Sequence, residues 1–468
     1  MPNMKNLIAA GLIAGLSYSI PLCGQEPMPT TGAKTHSISQ FDFTIPDTIF
    51  NFLGGSAREI KQAEVVKLAL ERGLPPKSAR LRIREAEGVK FQAAASFIPT
   101  ISPGLYLERT DGRVQGSFGE LRDVEFNTVN PGIFLLYGLN PAETTYRMIA
   151  AGNRLESVRS GSREVENSSI SEASVQFVDL QYAAVAIAVA RELETNAGEL
   201  LRISRARLKQ GLGNEEDVYR SEANSVRAGR EVLNRQIAFE HTTLLLAETL
   251  NLDPGTVLIP RPAALEPLEL LGKDRLQEEL IEAAHNTRPA LESAQRDEEA
   301  AEAELAGERW RFFSPRFDLV YRLGTIGGQF NDQLREERLT LLASLDLSPV
   351  LWGRTRELKA RYELSAVNTE MVLSRVQRNV QQAYREYLNA GNQMSLAVSG
   401  IESAEAALRI SKSRFTAGLG LAVEVIEAQK ELAEARLGYY FAAALYNKAQ
   451  IRLLFETGEI EPAVFSSP

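Results

Sequence analysis

Reactive or ligating side chains at a workable spacing are scarce in this sequence. The three histidines, His36, His241 and His285, lie far apart, and no cysteine or carboxylate stands near them at a metal ligand's spacing. No glycine loop runs into Lys and Ser/Thr, and no nucleophile elbow occurs. Arg122-Asp123 is a dipeptide between strand-like segments with no catalytic context. The residues thus indicate no catalytic, cofactor or metal site, and a protein that is not an enzyme. Its one cysteine, Cys23, has no partner for a disulfide framework.

The polar feature that stands out is the pair Glu424 and Glu427. Residues three apart share a helix face, so in a symmetric oligomer the two would stack as carboxylate rings and favour cations in a lumen. They can equally sit at an exposed helix N-terminus and complement its dipole. The net charge of −9 argues against a nucleic-acid partner. Most charges are interspersed, as where Arg202, Arg205, Arg207 and Lys209 are answered by Glu215, Glu216 and Asp217, and they read as a solvated helix face.

Long helices must carry these residues. From Val350 to Ile460 there is no proline, so nothing breaks a very long helix. Small or apolar residues recur at alternating steps of four and three from Val376, Val380 and Ala383 to Ile401, Ala404 and Leu408. The rhythm resumes with Val425, Ala428, Leu432, Ala435 and Tyr439 after Gly418-Leu419-Gly420. Two antiparallel coiled-coil arms are expected. Roughly 65 residues at about 1.5 Å each make a rod on the order of 100 Å.

The chain also repeats itself. Arg207-Leu208-Lys209-Gln210-Gly211-Leu212-Gly213 aligns with Arg414-Phe415-Thr416-Ala417-Gly418-Leu419-Gly420, and Val218 then falls opposite Val425. Upstream of the second hairpin Phe317, Leu319, Tyr321 and Leu323 alternate with Arg316, Asp318, Val320 and Arg322, and Leu339, Leu341, Ala343, Leu345 and Leu347 with Arg338, Thr340, Leu342, Ser344 and Asp346. This predicts strands of about 9–11 residues with one apolar face, long enough to cross a bilayer at a tilt. Ile101, Leu105 and Leu107, followed by Val124 to Tyr137, form a weaker first copy, with a bulge expected at Asn130-Pro131-Gly132. Four strands are too few for a transmembrane barrel, and open edges cannot face lipid, so a barrel must be shared between subunits.

The expected organisation is a signal peptide over 1–24, from the basic Lys5 and the apolar run Leu7 to Leu16, then an N-terminal arm over 25–56. The first repeat spans 57–252, with a β-hairpin about 99–138 and a turn at 211–213. A Pro-rich connector over 253–272 leads to the second repeat, 273–456, with a β-hairpin about 315–349 and a turn at 418–420, and then to a tail over 457–468. Cys23 carries a lipid, although Leu22 before it is bulky where processing wants a small residue, or is removed with the leader, or stays as a bystander. No run of about 18 or more apolar residues follows, so no transmembrane helix is indicated.

With these features the chain resembles the TolC-like outer-membrane efflux family from about Lys61 to Leu454. Arg414-Phe415-Thr416-Ala417-Gly418, Val423 to Gln429, the first-half copy Arg207 to Gly211 with Asp217-Val218, and Leu347 to Arg354 carry the likeness. The resemblance implies a mainly α protein with a β-barrel part: a homotrimer whose long coiled-coil helices form an α-barrel in the periplasm and whose four strands per protomer build a shared twelve-strand barrel in the outer membrane. It implies a passive exit duct of a tripartite efflux or secretion system in a Gram-negative envelope. A periplasmic adaptor, an inner-membrane pump and outer-membrane lipid are the implied partners. Glu424, Glu427 and Asp217 match carboxylates at the tunnel's closed inner end. Gly211, Leu212, Gly213, Gly418, Leu419 and Gly420 form the adaptor-docking tip, where each leucine is either a docking knob or packs its own turn. Some members lock that end with a basic residue just after the turn, where this chain has Gly213 and Gly420. The alternative reading is a non-conducting periplasmic coiled-coil scaffold.

Overall fold

In the computed structural model, residues 57–253, 255–271 and 275–465 are described; the leader, the arm and Cys23 lie outside them. The chain opens with strand β1 (Ala57–Lys61) and helices α1 (Gln62–Arg72) and α2 (Leu74–Ala95). Strands β2 (Thr100–Gln115) and β3 (Leu121–Leu139) then lead into helices α3 (Pro141–Lys209) and α4 (Glu215–Thr249). After β4 (Val257–Arg261), α5 (Gln277–Thr287) and α6 (Pro289–Arg311), the order recurs as β5 (Arg316–Gln329), β6 (Asp332–Ser344), α7 (Pro349–Thr416) and α8 (Ala422–Thr457).

α3 has 69 residues and α7 has 68, each about 100 Å at 1.5 Å per residue. Both start where sequence dictates. Asn140 accepts from the Glu143 amide at 3.0 Å ahead of Pro141, and Ser348 accepts from Val350 at 3.3 Å ahead of Pro349. The return helices α4 and α8 are about half as long, and α2 and α6 pack along the remaining length of α3. Within α3 lies the one stretch among the described residues long and apolar enough to cross a membrane, and 78% of it is buried inside the chain.

The coiled-coil seam follows the heptad. Val376, Val380, Ala383, Ala390, Ile401 and Ala404 of α7 are buried, as are Val425, Ala428, Leu432, Tyr439, Ala442 and Leu453 of α8. Where the seam is aromatic, Tyr387 and Tyr446 stack at 5.3 Å. The alanines let the backbones approach closely.

Two features of the helical part are not evident from periodicity. Asn447 and Gln450, each 1% exposed, hold the connector by its backbone. Asn447 accepts from Leu268 N at 2.8 Å and donates to Glu266 O at 2.8 Å; Gln450 accepts from Leu270 N at 2.9 Å and donates to Leu268 O at 2.7 Å. Elsewhere Arg288 is buried between Glu164 (2.8 Å) and Glu456 (3.4 Å), donates to Phe455 O and lies 4.0 Å from that ring's centroid. One guanidinium thus ties α3 to the end of α8.

β1 and β4 pair in parallel. The other four strands form one antiparallel sheet in the order β2-β3-β5-β6. They have 16, 19, 14 and 13 residues, longer than the 9–11 that the apolar alternation predicts. The apolar pattern ends where ionic residues begin, yet pairing continues through cross-strand ion pairs. The bulge expected at Asn130-Pro131-Gly132 is absent: β2 and β3 keep one register from Thr100↔Leu136 to Gln115↔Leu121. Proline has no N–H to donate, so the β3–β5 ladder omits Asn130 and Pro131 and resumes unshifted from Val129↔Gly327 to Gly132↔Gly324. The register shift lies instead between Ile326 and Gln329 of β5, across Gly327-Gly328.

Candidate functional site

Two regions hold functional promise: one face of the sheet and the end where both helical hairpins turn. Up to the register shift in β5, even-numbered residues face even-numbered ones in every strand pair, so successive side chains divide into an odd and an even face. Next to the helices the odd face is wholly apolar or aromatic. It comprises Ile101, Pro103, Leu105 and Leu107 on β2, the odd positions from Val129 to Leu139 on β3, Phe317 to Leu323 on β5, and Leu339 to Ala343 on β6. Phe317 pairs with Ala343, Leu319 with Leu341 and Tyr321 with Leu339, so the alternation read from sequence sets apolar residues side by side.

The even face of the same rows is mixed: Ser102, Asn130, Asp318, Arg322, Arg338 and Thr340 stand among Tyr106, Phe134, Leu136, Val320 and Leu342. Glu336 accepts from Asn130 Nδ2 at 3.0 Å and lies 2.8 Å from Arg338 and 3.7 Å from Arg322. The limit of the odd apolar zone, after Leu107, before Val129, after Leu323 and before Leu339, is slanted relative to the ladder. Tilted strands crossing a planar layer show such a slant.

At the far end the two turns are near copies. Each long helix closes with a glycine at positive φ, Gly211 at 73° and Gly418 at 80°. In each, the next leucine donates back to an arginine carbonyl: Leu212 N to Arg207 O and Leu419 N to Arg414 O, both 2.9 Å. This is a Schellman closure. A Cβ on Gly213 would stand 3.2 Å from Arg207 Cβ, and one on Gly420 would stand 3.2 Å from Arg414 Cβ, so the second glycine of each turn serves the same close approach. Leu212 and Leu419 are 68% and 75% exposed.

The turns are tied to each other by residues that spacing does not connect. Arg207 donates to Phe415 O and to Leu212 O (3.1 Å), with its guanidinium 4.5 Å from the Phe415 ring centroid. Its repeat counterpart Arg414 reaches only its own turn, at Leu419 O (3.5 Å). Asp217 accepts from Ala422 N at 3.2 Å, capping α8, whose own N-cap, Leu421, offers no side-chain bond. Leu200, Phe415, Ala422, Val425 and Ile426 form the core beneath. Glu424 is half-buried in the first turn of α8, with a carboxylate oxygen 3.1 Å from where a Gly420 Cβ would lie, and Glu427 is exposed. Asp217 therefore spends one oxygen on a helix end. Leu208 stands opposite Phe415 in the aligned turns, but Lys209 opposite Thr416 and Gln210 opposite Ala417 differ as well, so no distinct sequence signal marks this coupling.

The comparisons agree with this geometry. Residues 280–459 match the family Outer membrane efflux protein. That match lies in the second half of the chain. No curated protein matches the chain in sequence. Among solved structures, a membrane protein from Pseudomonas aeruginosa is similar at 18% identity, with 85% of this chain and 93% of that one covered and a TM-score of 0.74. The CmeC outer membrane channel of Campylobacter jejuni is similar at 16% identity, 85% of each chain and 0.74. The MtrE outer membrane channel of Neisseria gonorrhoeae, in its open state, is similar at 16%, 85% and 88%, and 0.70. The likeness extends well beyond the efflux protein domain, so the fold of such channels covers both repeats. Among the described residues no cluster of His, Cys, Asp and Glu could hold a metal.

Proposed function

We propose that the protein is the passive outer-membrane exit duct of a tripartite efflux or secretion system. It works as a homotrimer with its helical tunnel in the periplasm, opened by an adaptor and an inner-membrane pump. The observation that carries this reading is the sheet: one face is wholly apolar next to the helices, and β2 and β6 are unpaired edges. Such edges cannot face lipid, and three copies of four strands close a barrel of a size known for the outer membrane.

The helices support the same assembly. Tyr219, Val226, Leu233, Ile237 and Leu244 make an exposed stripe on α4, between 56% and 71% accessible. The alignment of Arg207 with Arg414 sets them opposite Ile426, Ala433, Tyr440, Ala444 and Ile451 of α8. Of these, Ile426, Tyr440, Ala444 and Ile451 are buried, and α8 packs on α3. The partner awaited by α4 is then α7 of a second copy, where Leu396 (71%) and Ile410 (61%) are exposed at the counterparts of Val189 and Ile203 on α3. An interface already present between the two halves recurs between protomers.

In that trimer Glu424 and Glu427 would line the inner end as carboxylate rings, and Leu212 and Leu419 would present apolar knobs to the adaptor. Single-channel recording of the detergent-extracted oligomer in a planar bilayer tests the duct. Small cation-selective steps are expected, with selectivity reduced by Glu424→Gln with Glu427→Gln. A verified trimer that neither conducts nor resists carbonate extraction from membranes would instead be a scaffold.

A further inference from the structure

Beyond the apolar zone the odd face of the sheet changes character while the even face keeps apolar side chains. Past Leu107 the odd face turns ionic, with Arg109 2.9 Å from Glu125 and Arg113 3.0 Å from Asp123. The even face there carries apolar side chains in both hairpins, Val114, Val124 and Phe126 beside Glu108, Thr110 and Arg122 in the first, and Ile326 and Leu334 beside Asp332 in the second. Each turn adds an aromatic, Phe118 at 96% and Phe330 at 68% exposure, and Leu334 is 72% exposed. The outer ends are therefore ribbons with an ionic odd face, on the side that faces lipid nearer the helices, and exposed apolar side chains on the even face and at the turn.

We infer that these ribbons lean over the mouth of the barrel and pack their even faces on the equivalent ribbons of the other copies, forming an apolar constriction at the extracellular end. The inference rests on the shared-barrel reading above. In a closed barrel the even faces of all copies look toward one axis, so the surface across from one ribbon is the same surface of another copy. The reach is sufficient. Twelve strands about 4.8 Å apart and tilted about 40° enclose a radius of about 12 Å, whereas the stretch from Arg109 to Gln115 extends about 20 Å.

Cysteine pairing tests this in the full chain, with the unmodified protein controlling for Cys23. Phe118→Cys and Leu334→Cys place thiols on the proposed contact, and Arg113→Cys and Arg335→Cys place them on the odd face. After treatment of the purified trimer with a short bifunctional maleimide, Phe118→Cys and Leu334→Cys are expected to shift from monomer to dimer on a denaturing gel. The odd-face variants should stay monomeric while still reacting with a monofunctional maleimide. Equal cross-linking of both sets, or none, in a sample of trimeric solution mass overturns the constriction and leaves the barrel standing. A sample that is not trimeric, or that carbonate strips from membranes, overturns the barrel reading and the constriction with it.

Discussion

Leu233 and Ile237 of α4 offer the most direct test of how the copies meet. They are 59% and 65% exposed, whereas their repeat counterparts on α8, Tyr440 and Ala444, are 7% and 2% exposed. Full burial of such side chains is worth about 1.5–3 kcal/mol, so completing the burial of each contributes about 1–2 kcal/mol at an interface. Replacing both by Ala should cost about 2–4 kcal/mol per interface. A departing subunit breaks two interfaces, giving about 4–8 kcal/mol, or roughly 10³- to 10⁶-fold in dissociation at 1.4 kcal/mol per tenfold. Alanine keeps its Cβ, which favours the lower end. Multi-angle light scattering of detergent-solubilised protein over a dilution series should show the double variant dissociating where the parent is trimeric. Arg227→Ala, an exposed change on another side of α4, should behave as the parent. Equal trimer stability of the double variant and Arg227→Ala would refute the equivalence of α4 with α8.

At the tip, Asp217→Ala removes the acceptor for Ala422 N and should cost about 1 kcal/mol, the usual worth of a helix cap. It should appear as faster amide exchange in the first turn of α8, and unchanged protection there would show that the cap does not hold the helix. Leu212→Asp with Leu419→Asp should weaken capture of the adaptor without loss of trimer, and undiminished capture would mean that each leucine serves only its own turn. Burial pushes the Glu164 carboxyl above its ordinary value, with Glu456 adding to the rise and Arg288 opposing it. The folded state thus holds this proton more tightly than the unfolded chain. The stabilisation is full below the ordinary carboxylate pKa and is lost as pH rises through the folded one. The melting temperature of the parent relative to Glu164→Gln should therefore rise as pH is lowered from neutral to about 4, and a constant difference would contradict the burial effect.

How legible the molecule is depends on whether a pattern is periodic. The seam from Val376 to Ala404 and the alternation of Phe317, Leu319, Tyr321 and Leu323 can be read directly, because burial on one face imposes a period on neighbouring residues. The full length of the strands cannot, since Arg109, Asp111 and Arg113 break the apolar rhythm while the ion pairs of Arg109 and Arg113 extend along the ladder. Asp217 on Ala422 N and Arg207 on Phe415 join residues some two hundred positions apart by single polar contacts, which leave no periodic trace. Asn447 and Gln450 are likewise buried against the connector by single polar contacts, outside the periodic seam.

The sheet order also constrains the sequence of assembly. Each hairpin, β2 with β3 and β5 with β6, joins neighbours in sequence and can form locally on a microsecond scale. The central pairing of β3 with β5 joins Leu139 to Phe317 and must wait for both halves of the chain, as must β1 with β4. Long loop closures of this kind slow folding. A nascent chain would therefore hold two finished hairpins, each with an exposed apolar side, before it has one sheet. During that interval the protein is most exposed to aggregation, and it would depend on being shielded until its second half arrives.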